Sequence, residues 1–182
     1  MTIEKTPIQD LIIINPSIFI DERGYFFEAY NQAKFKENGI NYNFIQDNQS
    51  FSKRGVIRGL HLQNNPFAQA KLVRVLEGEI LDVAVDVRKN SPTFGQHFSV
   101  VLSAENKKQL MIPHGFAHGF SVLSETASVL YKVDQLYHKE SERGIRYDDP
   151  TLNIDWQLSS DEVIVSEKDL VLPGFAAMDW EL

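Results

Sequence analysis

Runs of residues that alternate between apolar and polar side chains constrain the fold of this chain more than any other feature. In residues 80–87 every second residue is leucine or valine, while Asp82 and Asp86 fall on the opposite face. This two-residue period is the pattern of a β-strand. The preceding run, residues 72–76, is also rich in strand formers and is followed by a turn signal at Gly78. The two runs therefore predict a β-hairpin.

The rest of the chain repeats this pattern of short strands and turns. Further strand candidates are residues 11–15, 24–30, 43–50, 56–62, 97–102, 109–112, 119–123 and 128–133. Helical signal is confined to residues 31–38 and 159–163, the second with Ser159 or Ser160 as its N-cap. Many short strands with few helices are typical of a sandwich or barrel. Because no repeat or linker interrupts the pattern, residues 1–182 are predicted to form one all-β domain.

Composition argues against several classes of function. The 182 residues include no cysteine, so neither a disulfide framework nor a thiolate zinc site is available. No apolar run is long enough to span a membrane, and the polar N-terminus lacks a signal-peptide pattern, so we expect a cytoplasmic protein. The net charge of −7 argues against nucleic-acid binding. A small phosphorylated ligand is compatible with this charge, because two or three arginines suffice to bind it.

Two segments concentrate polar side chains where strands are expected, residues 58–63 and residues 113–120. A half-buried strand rarely carries arginine and histidine without a reason, although a lone histidine is more often an ordinary core residue. Both segments resemble the sequence motifs of cupins. Gly55, five further residues and His61 resemble the first motif, and a Pro-x-Gly-x-x-His pattern that ends at His118 resembles the second. This resemblance implies an antiparallel cupin β-barrel, or jelly roll, with a few short helices.

Departures from the cupin motifs argue against a bound metal. The second histidine of the first motif is replaced by Gln63, and no glutamate follows before Glu77. Only His61 and His118 remain of the usual three histidines and one glutamate. Two imidazoles without a third strong ligand seldom hold a divalent cation. We therefore expect no metal, and a metal-dependent cupin enzyme is an alternative that a metal assay would identify.

A closer resemblance covers nearly the whole chain. The matching stretches are residues 19–28, 46–50, 58–61, 69–73, 82–88, 91–95, 113–120, 131–132, 149–150, 154–156 and 166–169. In this order they resemble the dTDP-4-dehydrorhamnose 3,5-epimerases of dTDP-rhamnose biosynthesis. The resemblance implies an isomerase that inverts C3 and C5 of dTDP-4-dehydro-6-deoxy-D-glucose and so forms dTDP-4-dehydro-L-rhamnose.

The chemistry of such a reaction needs a base on one face of the sugar, an acid on the other and a positive group near the ketone oxygen. By resemblance, His61 is the base and is held by Asp169. Tyr131 is the acid, since a phenol stays protonated at neutral pH. Lys71 is the cation that faces the developing charge on O4. The reaction needs no redox cofactor, which suits the absence of a dinucleotide-binding fingerprint.

The resemblance also implies a set of substrate-binding residues. They are Phe19, Arg23, Glu28, Gln46, Asn48, Arg58, His118, Tyr137, Glu142 and Lys168. Arginine and lysine side chains in this set suit the diphosphate, the amides and Glu28 suit thymine and ribose, and the two aromatic rings suit stacking on the base. Plain packing for Phe19 and Tyr137, and a solvated charge for Glu142, are alternatives. Asp82 and Asp86 are expected to make structural hydrogen bonds.

Two other functions compete with double epimerisation. A relative that inverts only C3 or only C5 would use the same residues, and a sugar-nucleotide binding module would need no base opposite an acid. The family forms homodimers in which an N-terminal strand pairs with the partner. The resemblance therefore implies a homodimer in which Phe19 or Arg23 reaches the neighbouring site.

Overall fold

The computed structural model describes residues 1–178 and Trp180. The strands are β1 (Thr2–Lys5), β2 (Ile12–Asn15), β3 (Phe19–Asp21), β4 (Gly24–Phe26), β5 (Gln46–Lys53), β6 (Ile57–Gln63), β7 (Lys71–Glu77), β8 (Glu79–Asp86), β9 (His97–Ser103), β10 (Gln109–Ile112), β11 (Phe116–Val122), β12 (Thr126–Val133) and β13 (Glu142–Gly144). The α-helices are α1 (Gln32–Glu37) and α2 (Glu167–Leu170), and two short 3₁₀ helices span Lys139–Ser141 and Phe175–Ala177.

Two antiparallel sheets pack face to face and form a jelly-roll barrel. One has six strands in the order β1-β2-β10-β7-β12-β5, and the other has five in the order β13-β6-β11-β8-β9. Apolar side chains from both sheets meet between them, among them Val73 and Val129 from the first and Ile80, Phe116 and Val122 from the second. The predicted all-β barrel with few helices is confirmed.

The predicted hairpin between β7 and β8 is wrong. Gly78 does form the turn, with a φ of 78° that only glycine adopts easily. The two strands then separate, because β7 pairs with β10 and β12 while β8 pairs with β9 and β11. The Gly78 turn therefore carries the chain from one sheet to the other, a role that a local sequence pattern does not distinguish from a hairpin.

The apolar face of β8 lies outside the barrel. Leu81, Val83 and Val85 pack against the C-terminal segment, with Trp156 and Phe175 among their partners. The alternate residues of β8, which include Asp82 and Asp86, consequently face the barrel interior and are fully buried. A carboxylate is thus available inside the barrel, where the alternating pattern by itself would favour apolar side chains.

Of the two predicted helices, one is confirmed and one is wrong. Helix α1 begins after Asn31, whose side chain accepts a hydrogen bond from the Lys34 N–H. Residues 159–163 instead form a turn, in which the Ser159 hydroxyl donates to Glu162. The second helix is α2, which follows the N-cap residue Ser166. Within the described residues, no helix has the length and apolar character needed to cross a membrane.

The N-terminal hairpin β3–β4 stands apart from the barrel. Its two strands pair only with each other, and Phe19, Ile20, Tyr25 and Phe26 are each more than half exposed. A two-stranded hairpin without a packed face is at best marginally stable in water. Apart from Lys107, whose Nζ atom lies 3.9 Å from the centre of the Tyr25 ring, the described part of the chain leaves this apolar hairpin largely uncovered.

Candidate active site

A cavity of about 490 Å³ opens between the two sheets at one end of the barrel. His61 reaches it from β6, whereas Tyr131 reaches it from β12 in the opposite sheet. Lys71, at the start of β7, lies with them in the wall. An adjoining cavity of about 270 Å³ shares these three side chains. His61, Lys71 and Tyr131 therefore occupy the junction of a two-part pocket, whose size suits a small ligand.

His61 is held by a carboxylate from the C-terminal segment. The Nε2 atom of His61 lies 2.7 Å from Oδ1 of Asp169, which is only 4% exposed. Burial raises the pKa of Asp169, but the hydrogen bond and charge of His61, together with hydrogen bonds from Gly59 and Ser166, outweigh that effect, so the pKa falls below its ordinary value. The anion fixes the imidazole by accepting a hydrogen bond from its Nε2–H, which leaves Nδ1 free to accept a proton.

Lys71 is a buried cation with few hydrogen bonds. Its Nζ atom makes one long hydrogen bond, 3.4 Å to the carbonyl oxygen of His61. Burial lowers the pKa of Lys71 to about 8, against opposing effects from Asp82 and Glu142. Since two of its three ammonium protons have no hydrogen-bond acceptor among the described contacts, Lys71 is arranged to bind an oxygen of a ligand.

His118 lies beside His61 across the β6–β11 ladder. The two histidines are direct cross-strand partners, and Nε2 of His118 lies 2.7 Å from Oδ1 of Asp82. Burial lowers the pKa of His118, although Asp82 opposes the shift. His118 therefore sits in the wall as a neutral imidazole, and the prediction that Asp82 makes a structural hydrogen bond is confirmed.

Tyr131 has a different environment from that of the histidines. It lies opposite Asn48 and Val73 on the neighbouring strands. Burial raises the pKa of Tyr131 above its ordinary value, while the charge on Arg58 opposes the rise. The phenol therefore carries its proton at neutral pH and is able to donate it.

Polar side chains that suit a nucleotide surround these groups. Arg58 lines the main cavity and donates from Nε to Ser52 at 3.0 Å, so most of its guanidinium stays free for an anion. At the mouth, Glu142 accepts hydrogen bonds from Lys168 at 2.7 Å and from Tyr137 at 2.8 Å. Gln46 and Asn48 line the adjoining cavity. Eleven of the residues named from sequence thus meet in the pocket: Gln46, Asn48, Arg58, His61, Lys71, His118, Tyr131, Tyr137, Glu142, Lys168 and Asp169.

Three of the residues named from sequence lie outside the pocket of their own chain. Phe19 is 65% exposed on the β3–β4 hairpin. Arg23, in the same hairpin, donates to Asp21 at 2.6 Å, and Glu28 pairs with Lys34 on α1. A contact between these three and a ligand in this pocket therefore stays a prediction that involves a second chain.

Residues of the pocket that the sequence reasoning did not single out include Ser50 and Phe120. The side chains of Gln46, Asn48, Ser50 and Ser52 fall on one face of β5, and each is less exposed than its outward-facing neighbours. This alternation of polar residues is the signal that identifies an interior polar face. An ordinary hydrophobic pattern search overlooks it, because neither face of the strand is apolar.

Gln63 stands where a metal-binding cupin has histidine, and its side chain makes hydrogen bonds to backbone groups. Its Nε2 donates to the carbonyl oxygens of Phe67 at 2.6 Å and Leu136 at 3.1 Å, and its Oε1 accepts from the N–H of His138 at 2.7 Å. The side chain therefore holds two loops together. Within residues 1–178 and Trp180, no three His, Cys, Asp or Glu side chains are grouped so as to hold a metal ion.

The fold and the pocket together define a cupin-type barrel enzyme with acid–base chemistry. An imidazole held by a carboxylate, a protonated phenol and a buried ammonium line one cavity, and they reach it from both sheets. Comparison with known proteins supplies the particular family. A profile of the dTDP-4-dehydrorhamnose 3,5-epimerases matches residues 5–177, and the chain belongs to that family.

Individual relatives match over nearly their full length. The dTDP-4-dehydrorhamnose 3,5-epimerase of Methanothermobacter thermautotrophicus is 54% identical over 166 residues, which cover 91% of this chain and 89% of that protein. The crystal structure of a 3,5-epimerase from Legionella pneumophila in complex with dTDP-4-keto-L-rhamnose superposes with a TM-score of 0.94 at 50% identity, with 99% and 95% of the two chains covered. A 3′-monoepimerase from Streptomyces bikiniensis is more distant, with a TM-score of 0.86 at 30% identity and coverage of 94% and 86%.

Proposed function

We propose that this protein epimerises C3 and C5 of dTDP-4-dehydro-6-deoxy-D-glucose and releases dTDP-4-dehydro-L-rhamnose. The observation that carries the proposal is the position of His61 and Tyr131 on opposite sheets of one cavity, with Lys71 on the same sheet as Tyr131. Inversion at a carbon requires a proton to leave from one face and another to arrive at the opposite face. A pocket used for binding alone has no need for this pair.

Each inversion follows the same sequence of proton transfers. Nδ1 of His61 takes the proton from the carbon next to the ketone, and the electron pair of the broken C–H bond forms an enolate whose charge develops on O4. The ammonium of Lys71 stabilises that oxygen. Tyr131 then returns a proton to the opposite face of the carbon, and solvent restores both residues. Because no electron leaves the substrate, the chemistry is complete without a redox cofactor.

The nucleotide is proposed to bind along the cavity mouth. Arg58 and Lys168 provide charge for the diphosphate, which matters in a chain with a net charge of −7. Gln46, Asn48 and Glu142 offer hydrogen bonds to thymine and ribose, and the ring of Tyr137, 57% exposed, offers a stacking surface.

We further propose that the enzyme works in the cytoplasm, since a chain without cysteine has no need of an oxidising compartment.

Proton exchange in deuterated water tests the proposed reaction. The purified protein is incubated with dTDP-4-dehydro-6-deoxy-D-glucose in D₂O, and the sugar is followed by NMR. We expect deuterium at both C3 and C5 and formation of the L-rhamno product. Exchange and inversion at one carbon alone would instead identify a monoepimerase, and no exchange at either carbon would reject the epimerase proposal.

Removal of metal ions tests the alternative of a metal-dependent enzyme. Activity should survive extensive EDTA treatment, whereas a loss that one divalent ion restores would identify a metal-dependent enzyme.

The uncovered β3–β4 hairpin supports a homodimer in which Phe19, Arg23 and Glu28 serve the partner's pocket. Exposed apolar surface of this kind is typical of an interface. Light scattering should report a dimer, and a monomer at working concentration would reject the assembly.

Mixing two inactive variants tests whether a residue of one chain acts in the pocket of the other chain. An Arg23→Ala chain mixed with a His61→Asn chain regains activity only if Arg23 acts in the neighbouring site, because only then does one pocket of the mixed dimer have both residues.

A further inference from the structure

In the described part of the chain, two buried side-chain atoms have no hydrogen-bond partner, and both belong to the barrel end that holds the pocket. They are Oγ of Ser50 and Oδ2 of Asp82. The case of Asp82 is the more demanding, since a carboxylate loses much more than a hydroxyl when it is removed from water. Asp82 is fully buried and faces the barrel interior from β8.

The two oxygens of Asp82 have separate surroundings. Oδ1 is engaged by Nε2 of His118 at 2.7 Å. Oδ2 accepts no hydrogen bond. Lys71, which is 9% exposed, lies close to this pair, because its Nζ atom reaches the carbonyl oxygen of His61 at 3.4 Å and His61 is the cross-strand partner of His118. Lys71 and Asp82 make no described hydrogen bond, so their charges act on each other through the buried interior. Of the two anions that oppose the effect of burial on Lys71, Asp82 acts more strongly than Glu142. A buried anion and a buried cation thus compensate each other across the barrel.

We propose that Asp82 is a positioning residue, which orients His118 through one carboxylate oxygen and whose buried charge keeps the Lys71 ammonium protonated for the substrate oxygen. This inference rests on the proposed function for the identity of that oxygen. His118 stays neutral next to Lys71, because burial lowers the pKa of its imidazole, and it therefore adds no repulsion. The group that Asp82 supports is Lys71, since Asp82 itself is not among the residues that line the two cavities.

Other titratable groups around Lys71 do not replace Asp82. They are His61, His118, Tyr131, Asp169, and Glu142 with its ion-pair partner Lys168. Asp169 is engaged by His61 at 2.7 Å, and Glu142 by Lys168 at 2.7 Å. Both of these carboxylates thus have a cationic or imidazole partner of their own. Among these carboxylates, the Oδ2 atom of Asp82 is the oxygen whose charge no described hydrogen bond compensates.

The titration of Lys71 tests this role without substrate. Protein labelled with ¹³C at lysine Cε is followed by NMR as a function of pH, and the Lys71 signal is assigned by its loss in Lys71→Arg. In wild type we expect a pKa of about 8. In Asp82→Asn it should fall by about one unit or more, the usual effect of removing a nearby opposite charge. Asp82→Ser, also uncharged, serves if the Asn variant does not fold.

Asp86→Asn is the matched control for the loss of a buried carboxylate. Asp86 lies on the same face of β8, but its partners are Arg88, Ser91 and Thr93. The substitution should lower the melting temperature and leave the pKa of Lys71 unchanged.

Steady-state kinetics test the same role during turnover. Asp82→Asn should lower kcat tenfold or more with little change in KM. The basic limb of the plot of kcat against pH should move to lower pH together with the Lys71 pKa. A purely structural Asp82 would lower stability without moving that limb.

The outcomes separate this proposal from the proposed function. An active wild-type enzyme whose Lys71 titration is the same in Asp82→Asn overturns the role of Asp82 alone. A wild-type protein that exchanges no deuterium into the sugar nucleotide overturns the epimerase function, and with it the place of Asp82 in the reaction. A lowered Lys71 pKa together with a shifted kcat profile supports both.

Discussion

The two walls of the pocket support their ionisable groups in different ways. On the wall formed by the five-stranded sheet, His61 and His118 each have a buried carboxylate at 2.7 Å. On the wall formed by the six-stranded sheet, Tyr131 stands among amides and hydroxyls, including Asn48 and Ser50. Each carboxylate fixes its imidazole ring through a hydrogen bond, whereas burial raises the pKa of Tyr131 and so keeps the phenol protonated. In the proposed reaction, the first wall supplies the base and the second supplies the acid.

The largest expected effect is the loss of the base. In His61→Asn no group remains to remove the carbon-bound proton, so deuterium exchange and product formation should fall together by about 10²-fold or more. Both are measured by NMR in D₂O. His97→Asn is the matched control, since His97 lies on β9 outside the pocket and should leave the rate unchanged. Exchange at the wild-type rate in His61→Asn would remove the base assignment.

Loss of the acid should separate two events that fail together in the first variant. In Tyr131→Phe the base remains, so His61 still removes a proton and returns a deuteron to the same face. We expect exchange to persist while inversion slows, by up to about 10²-fold for a lost general acid. Tyr147→Phe, on the far side of the barrel wall, is the control. If Tyr131 only packs, Tyr131→Phe keeps the ring and the ratio of exchange to inversion stays at its wild-type value.

The third prediction weakens the base wall without removing the base. Asp169→Asn replaces a charge-assisted hydrogen bond, worth about 1.5–3 kcal/mol, with a neutral one. Exchange and inversion should therefore fall together by about 10- to 100-fold, a milder form of the His61→Asn result. Asp161→Asn, an exposed change in the same segment, should have no effect. A pattern like that of Tyr131→Phe would contradict the assignment of Asp169 to the base.

The smallest expected effect concerns a residue that spans both walls. Arg58 lies on β6, and its Nε atom donates to Ser52 on β5. In Arg58→Ala the affinity for dTDP itself, measured by calorimetry, should fall about tenfold, since one charge-assisted contact to the diphosphate is lost. Lys53→Ala removes the same charge from an exposed position outside the pocket and is the control. Equal dTDP affinity in the two variants would exclude Arg58 from the phosphate site.

The sequence predicted much of the framework of both walls but not all of the pocket. Alternation predicted most of the strands and their turns, because the period of two reflects the pleat of the backbone itself. The resemblance to a family supplied the roles of His61, Lys71 and Tyr131, which fall together in the pocket. The roles of Phe19, Arg23 and Glu28 are still predictions, since these residues lie away from the pocket of their own chain.

Sequence by itself determined the all-β class, the short helix after Asn31 and the ionisable residues available for chemistry. The tertiary structure decided that β7 and β8 join different sheets, that the apolar face of β8 packs outside the barrel, and that Asp169 meets His61 across 108 residues of chain. The physical reason is the distance along the chain over which the deciding interactions act. An alternating pattern reports that the two faces of a strand differ, whereas the partner of each face depends on which distant segments bury their apolar surface together.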